Sequence, residues 1–231
     1  MCIDFEVVER KDGSAIIDVC EGTKSMDYFG IISDDYVEVN IPSSVESIGS
    51  RLLSGIPHVG HFNVSPENRH FVEMDGCVYS ADMQTLIAYP PSKACECFEI
   101  PLMVENIAPG AFRCASQLKS VKVGENVKTI GHEAFARAYS IERIYIDKNV
   151  QTIEYLLQEC EDLDLYIMYR EDLVIGGATG SAIEHWCREN ATRFCPLEDS
   201  QVEDFLASSE WNSKAPMLDD DECWECMKKS M

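Results

Sequence analysis

Val104-Glu-Asn-Ile-Ala-Pro-Gly-Ala-Phe112 is followed by Val127-Lys-Thr-Ile-Gly-His-Glu-Ala-Phe135 and then by Val150-Gln-Thr-Ile-Glu-Tyr-Leu-Leu157. The three valines recur at a constant interval of 23 residues. A further copy upstream, Val45-Glu-Ser-Ile-Gly-Ser-Arg-Leu-Leu53, keeps the Val and Ile anchors and places leucines where two later copies have Ala-Phe. A fixed period of roughly 20 to 50 residues is the signature of stacked structural units. Each copy runs into alternating apolar residues: Val59, Phe62 and Val64, then Leu118, Val121 and Val123, then Ile141, Ile144 and Ile146. Such alternation reads as a short strand with one buried face, one per unit. The Ala-Phe segments (Ala111-Phe112, Ala134-Phe135) suit a single helical turn behind the sheet, too short to be stable alone. Units this small bury their apolar side only against neighbours. The expected fold is therefore an α/β solenoid, curved, with parallel strands on one face and short helical turns on the other. Phe112 and Phe135 are its core pegs. The fourth unit is less regular, with its strand read at Leu163-Asp-Leu-Tyr-Ile167, about one residue early.

Those residues, with Ile41-Pro42 and Ile100-Pro101 ahead of two units, resemble the BspA-type leucine-rich-repeat family. Its repeat reads Ile-Pro, then Val-x-x-Ile, then Ala-Phe-x-x-Cys, then Leu-x-x-Val-x-Val, and the copy Ile100 to Val123 matches nearly throughout, Cys114 included. The insertion Asn68 to Pro90, with Val72-Glu-Met-Asp-Gly-Cys-Val-Tyr79 and Thr85-Leu-Ile-Ala-Tyr89, resembles the hairpin that the family places between repeats. Asp75-Gly76 is a turn signal in its own right. Gly180-Ser-Ala-Ile-Glu-His-Trp-Cys-Arg-Glu-Asn190 resembles the helix that closes such domains, followed by a short strand near Phe194. Ser181 can cap its first turn, and Ala182, Ile183, Trp186 and Cys187 form one apolar face. The opening Asp12-Gly-Ser-Ala-Ile-Ile-Asp-Val19 looks like a strand capping the other end. The expected organisation is N-terminal capping strands over 1–36, a leucine-rich-repeat domain over 37–195, and a partly disordered acidic tail over 196–231. Within the domain, the hairpin insertion falls at about 66–97 and the capping helix at about 181–191. The resemblance implies binding, with no shared active site. Many relatives are surface adhesins with signal peptides, and the acidic opening Met-Cys-Ile-Asp-Phe-Glu departs from them.

With 231 residues, 45% of them apolar, the chain can bury one sizeable core. A net charge of -22 argues against nucleic acid, whose phosphates require clustered Lys and Arg. It favours a basic or polar partner, the competing reading being solubility alone. No apolar run approaches the roughly 20 residues that span a bilayer, so neither a membrane partner nor export is expected, and the location is read as cytoplasmic. Eleven cysteines, odd in number and irregular in spacing, read as reduced thiols, most of them small core hydrophobes.

Positions between the buried strand residues point away from the core. They are His61 and Asn63, then Lys119, Ser120 and Lys122, then Arg143 and Tyr145. Lys119, Lys122 and Arg143 on adjacent rungs of so acidic a chain suggest a basic and aromatic patch, and Tyr and Arg are enriched at the energetic centres of interfaces. The competing reading is ordinary solvated strand positions. The function expected is a non-catalytic protein-recognition module, monomeric or weakly self-associating, that binds a protein partner through His61, Asn63, Lys119, Lys122, Arg143 and Tyr145. On this reading Arg143→Glu and Tyr145→Ala weaken partner capture without moving the melting temperature.

Cys223-Trp-Glu-Cys226 could serve as half a zinc site or as a redox dithiol, which makes a zinc or thiol-redox protein the alternative function. The nearest second half, Cys95-Glu-Cys97, is poorly spaced, so no metal or cofactor is assigned. A surface adhesin-like protein is the third reading. His58, His61 and His70 cluster in sequence without a distinguishing carboxylate. Gly176-Gly-Ala-Thr-Gly-Ser181 lacks the Lys of a phosphate loop and reads as a tight turn. No Gly-x-Ser-x-Gly elbow, His-Glu-x-x-His pair or dinucleotide fingerprint supports an enzyme. In the tail, Ser200-Gln-Val-Glu203 matches a capping box, and Val202, Phe205 and Leu206 form a narrow apolar stripe. A short helix near 200–209 that could dock on the solenoid follows. Beyond it, Asn212 to Glu222 reads as a solvated linker, and Cys223 to Met227 as a docking peptide anchored by Trp224, or else as a frayed end.

Overall fold

The repeated valines fix how the chain bends. In a computed structural model that describes residues 5–11, 14–28, 37–157, 173–190 and 192–208, Val104, Val127 and Val150 are all buried and all close the same turn. Their N–H groups donate to the carbonyls of Pro101, Gly124 and Asp147 respectively. The chain enters on an antiparallel pair, β1 (Phe5–Glu9) and β2 (Ala15–Val19), and then coils through β3 (Ser25–Met26), β4 (Val37–Ile41), β5 (Ser47–Ile48) and β6 (Val59–Val64). A meander follows: β7 (Phe71–Met74), β8 (Cys77–Ser80) and β9 (Thr85–Ala88). Coiling resumes with β10 (Cys97–Glu99), β11 (Asn106–Ile107), β12 (Ser120–Val123), β13 (Thr129–Ile130), β14 (Arg143–Ile146), β15 (Thr152–Ile153) and β16 (Val174–Gly177). Helix α1 (Ala182–Glu189), β17 (Arg193–Pro196) and a second helix, α2 (Val202–Ala207), complete the described chain.

The longer strands gather into two sheets, β1-β2-β4-β6 and β10-β12-β14-β16-β17, parallel except for β1. The two-residue strands left by each Val-x-x-Ile anchor form a further parallel ladder, with Asn106 beside Thr129 and Thr129 beside Thr152. This is the solenoid expected from the repeat, and every rung from β10 to β14 advances in register by one repeat. After β14 the next rung is β16, where Arg143 faces Val174. The strand read at Leu163 to Ile167 lies outside the described residues. Gly176 and Gly177, read as a turn, are strand residues instead, and the turn falls at Ala178 to Ser181.

The Ala-Phe segments are turns and carry no helix, whereas the matching Leu52–Ser54 of the earlier unit is a single 3-10 turn. Alternate N–H groups bond within the coil, from Ala111 to Ala108 and Arg113 to Gly110, while those between them donate to the next coil, from Gly110 to His132, Phe112 to Ala134 and Cys114 to Ala136. Positive φ at Gly110 and Cys114 recurs at the matching positions Glu133 and Arg137. Left-handed residues at that spacing interrupt a helix, and the gain is a ladder between coils. Phe112 and Phe135 stack beneath it at 4.8 Å and 8°.

The meander is a partition between two cores. Cys77 and Tyr79 of β8 join the cluster that holds the later rungs, whereas Val78 joins the cluster of Ile17, Val39, Leu52 and Phe62. A strand buried on both faces needs an unbroken apolar run, and Cys77-Val78-Tyr79 supplies it. At the far end, Ile183 and Cys187 of α1 close the second core. Ser181 does not cap the helix through its hydroxyl, which donates back to the Ala178 carbonyl. The Glu184 carboxylate instead takes the Gly180 N–H at 2.6 Å.

Candidate functional site

Strand alternation turns two rows of side chains away from the second core. One row runs Cys97, Ser120, Arg143, Val174, Arg193, and the other Glu99, Lys122, Tyr145, Gly176, Cys195. Toward β10 this face is polar. The Lys119 ammonium donates to Glu96 at 2.7 Å, and Lys122 reaches Glu99 at 3.0 Å and Glu203 at 2.7 Å. Hydrogen bonds to Glu203 and Glu99 hold the Lys122 pKa above the usual lysine value, and the Glu96 contact does the same for Lys119. Toward β17, Val174, Gly176 and Cys195 make a small apolar strip between Arg143 and Arg193, and α2 lies across it. Tyr145, Val174, Cys195, Leu197, Val202 and Phe205 form a cluster separate from both cores, with Leu206 packed beside it.

Gly176 is the seat of that helix. A Cβ there would come within 2.5 Å of Leu197 and 2.9 Å of Phe205, so only a glycine lets the Phe205 ring approach the sheet. Arg143 fixes the far end of α2, its Nε donating to the Leu206 carbonyl at 3.2 Å while its Nη1 meets Glu142 at 2.9 Å. The capping box ahead of α2 lies two residues earlier than the sequence indicated: Gln201 accepts from the Glu198 N–H at 2.8 Å. The stripe of Val202, Phe205 and Leu206 was legible in the sequence, as was the docking of this helix.

The six sequence-derived contact positions do not form one open patch. Arg143 and Tyr145, expected in solvent, are each only 6% exposed beneath α2. Burial pushes the Tyr145 phenol up to about 12. Lys119 and Lys122 are neutralised by glutamates one rung away, which removes the basic character inferred from adjacent cations. His61 and Asn63 belong to the other sheet. There Asn63 donates to Asn40 at 2.9 Å and Asn40 to Asp18 at 2.5 Å, a polar ladder across three rungs. His61 lies against the hairpin tip, where a Cβ on Gly76 would fall 2.7 Å from its Nδ1. The residues that sequence reasoning missed are Val174, Gly176, Cys195 and Leu197. Val174-Ile-Gly-Gly177 followed by Phe194-Cys-Pro-Leu197 carried a signal, since apolar residues at successive positions indicate burial on both faces.

Among the described residues no group of three His, Cys, Asp or Glu is placed to hold a metal ion. Among the described cysteines, Cys77, Cys187 and Cys195 are buried, Cys20, Cys95 and Cys114 partly so, and Cys97 is exposed. Cys223, Trp224 and Cys226 lie outside the described residues, as does the segment Asn212 to Glu222. No described helix is long and apolar enough to cross a membrane.

The family model described as BspA type leucine rich repeat region matches residues 89–172, in six copies. The chain carries a BspA-type leucine-rich-repeat region. That region holds β10 to β15 and both stacked phenylalanines, and the family is generally non-catalytic. No curated protein matches the chain. Among solved structures it is similar to the pneumococcal vaccine antigen PcpA, at 16% identity over 79% of this chain and 68% of that one, with a TM-score of 0.49. It is also similar to a leucine-rich repeat protein from Eubacterium ventriosum, at 18% identity over 67% of this chain and 48% of that one, with a TM-score of 0.43. A leucine-rich cell surface protein from Faecalibacterium prausnitzii matches at 18% identity over 63% and 60%, also at 0.43. The chain thus spans about half to two thirds of these structures. A BspA-type solenoid is the framework of a protein-interaction or surface-type module.

Proposed function

We propose that this chain is a non-catalytic protein-recognition module that holds a polypeptide partner against the strand face of its solenoid. One observation carries the reading: the outer face of the β10 to β17 sheet already holds a polypeptide segment, α2, through an apolar seat and two cationic side chains. Affinity on such a face comes from a few anchors in fitted recesses and not from total area. The contact surface is assigned to Lys119, Lys122, Arg143 and Tyr145, with His61 and Asn63 as a second, separate polar strip. The recognition unit is residues 37–195, with α2 as its cover. Pairing of Lys119, Lys122 and Lys128 with glutamates leaves no array of cations for nucleic-acid phosphates on these rungs.

Photo-crosslinking in native lysate tests the reading. A crosslinkable side chain at position 119 should capture a defined protein that the same group at Gln151, exposed ahead of β15, does not. Lys122→Glu should abolish that capture. Equal capture from both positions would remove the strand face as the site.

A further inference from the structure

Helix α2 has the form of a resident ligand. It is six residues long, too short to persist unless docked. Its contacts on the strand face are those by which an amphipathic helix is read in a groove: an aromatic anchor in a recess, an aliphatic neighbour, and a charge at the rim. Phe205 fills the space above Gly176, Leu206 packs beside it, and Glu203 meets Lys122. The cluster formed is confined to the outer side of the sheet and shares no residue with either core. Undocking α2 therefore leaves every rung in place, and the free energy of opening is local, not global.

We infer that the α2 seat is a recognition groove for a short acidic amphipathic helix of a separate protein, one that places an aromatic residue two positions after a carboxylate, and that α2 occupies the groove until such a helix displaces it. The occupant's chemistry is set by what the groove already holds. Gly176 admits a ring, Val174 and Leu197 flank it, Lys122 takes a carboxylate, and the Arg143 guanidinium donates to a helix-terminal carbonyl. A tether as short as that between Pro196 and Val202 gives α2 an effective concentration of the order of millimolar. A free helix of the same intrinsic affinity binds the closed chain correspondingly more weakly, by the fraction of chains that are open. This inference rests on the reading that the strand face binds polypeptide, but its test needs no knowledge of the natural partner.

The probe is a labelled peptide with the sequence of residues 198–208, titrated onto the full chain by fluorescence anisotropy. Phe205→Ala, and Phe205→Asp as a second variant that places a charge in the seat, vacate the groove from the helix side only. Both variants are expected to keep the wild-type circular dichroism of the solenoid and to bind the peptide at least ten-fold more tightly than wild type. Adding Lys122→Glu or Gly176→Leu is expected to abolish that gain. Failure of the peptide to bind either folded variant, or binding that survives Gly176→Leu, overturns the groove. A concentration-dependent wild-type dimer that disappears in Phe205→Ala overturns the choice of occupant, because α2 of a second copy would then fill it. If the peptide binds as expected while no lysate protein is captured from position 119, the helix seat stands, and its use by a separate protein falls with the broader recognition reading.

Discussion

The two sheets are built by one repeat and end in opposite kinds of surface. On the first, the outward row Asp18, Asn40, Asn63 satisfies itself by hydrogen bonding along the rungs. On the second, the matching rows change from Lys122 and Glu99 to Tyr145, Val174, Gly176 and Cys195, whose apolar surface is buried by α2. Both are built of parallel rungs, apart from the antiparallel β1 and a register shift at Val37 and Glu38 in the first. The teaching is that in a solenoid the strand face is decided column by column: polar columns close on themselves, and apolar columns require a lid.

The contrast can be broken most severely from inside. Phe112→Ala should cost about 3–5 kcal/mol, because it removes one member of a stacked pair from a sealed core. Chemical denaturation should show the loss in the later rungs. A loss below about 1 kcal/mol would mean the phenylalanine column is not structural.

Arg143→Glu comes next. It places a carboxylate beside the Leu206 carbonyl and next to Glu142, so α2 should detach at a cost of roughly 1–3 kcal/mol. Site-resolved alkylation separates local from global loss, since Cys195 lies under α2 and Cys187 lies in the second core. The Cys195 rate should rise at least ten-fold while that of Cys187 stays at the wild-type value. The sequence alone indicated no change in melting temperature for this substitution, and burial under α2 reverses that expectation.

Alkaline pH should divide the two regions further. Burial lifts the Cys77 thiol to about 12 and also raises that of Cys187, and both belong to the second core. A folded pKa above the unfolded one contributes stability that is complete below the ordinary thiol value of 9.0 and is lost as the pH climbs toward the folded value. Melting followed by hydrogen exchange should therefore be constant up to about pH 9, with the later rungs opening first above it. Cys187→Ala should reduce that alkaline slope, and an unchanged slope would refute the assignment.

The smallest effect separates the polar columns from each other. Asn40→Ala breaks both bonds of a half-buried ladder and should cost about 1 kcal/mol, whereas Lys119→Ala removes an exposed pair and should leave the melting temperature unchanged. Equal effects in a thermal melt would erase the distinction between a buried column and a solvated one.

The rungs were legible because Val and Ile anchors at a constant interval have few other uses, and the partition was legible as a hairpin because Asp75-Gly76 has a specific turn chemistry. The helical turn expected at Ala-Phe holds only at the matching Leu52–Ser54, for a reason internal to repeats. Hydrogen bonding between neighbouring coils competes with bonding along the chain, and a single copy contains no trace of it apart from the glycine at 110. The site was half legible. Alternation correctly turned Arg143 and Tyr145 away from the core, but it carries no information about what later in the sequence returns to cover them. The charge column at Lys119 and Glu96 was readable in principle, since residues one repeat apart become lateral neighbours; reading cations without their partners 23 positions away produced a basic patch that does not exist.

The β7 to β9 meander has a bearing on how the molecule comes apart. Its two faces serve different hydrophobic interiors, and past it the earlier coils touch the later ones where Gly110 abuts the Ser50 carbonyl. Stacked arrays propagate order from each unit to the next, and a wall of this kind is where propagation can halt. Denaturation should accordingly proceed in two cooperative steps, with the meander retained by whichever half survives.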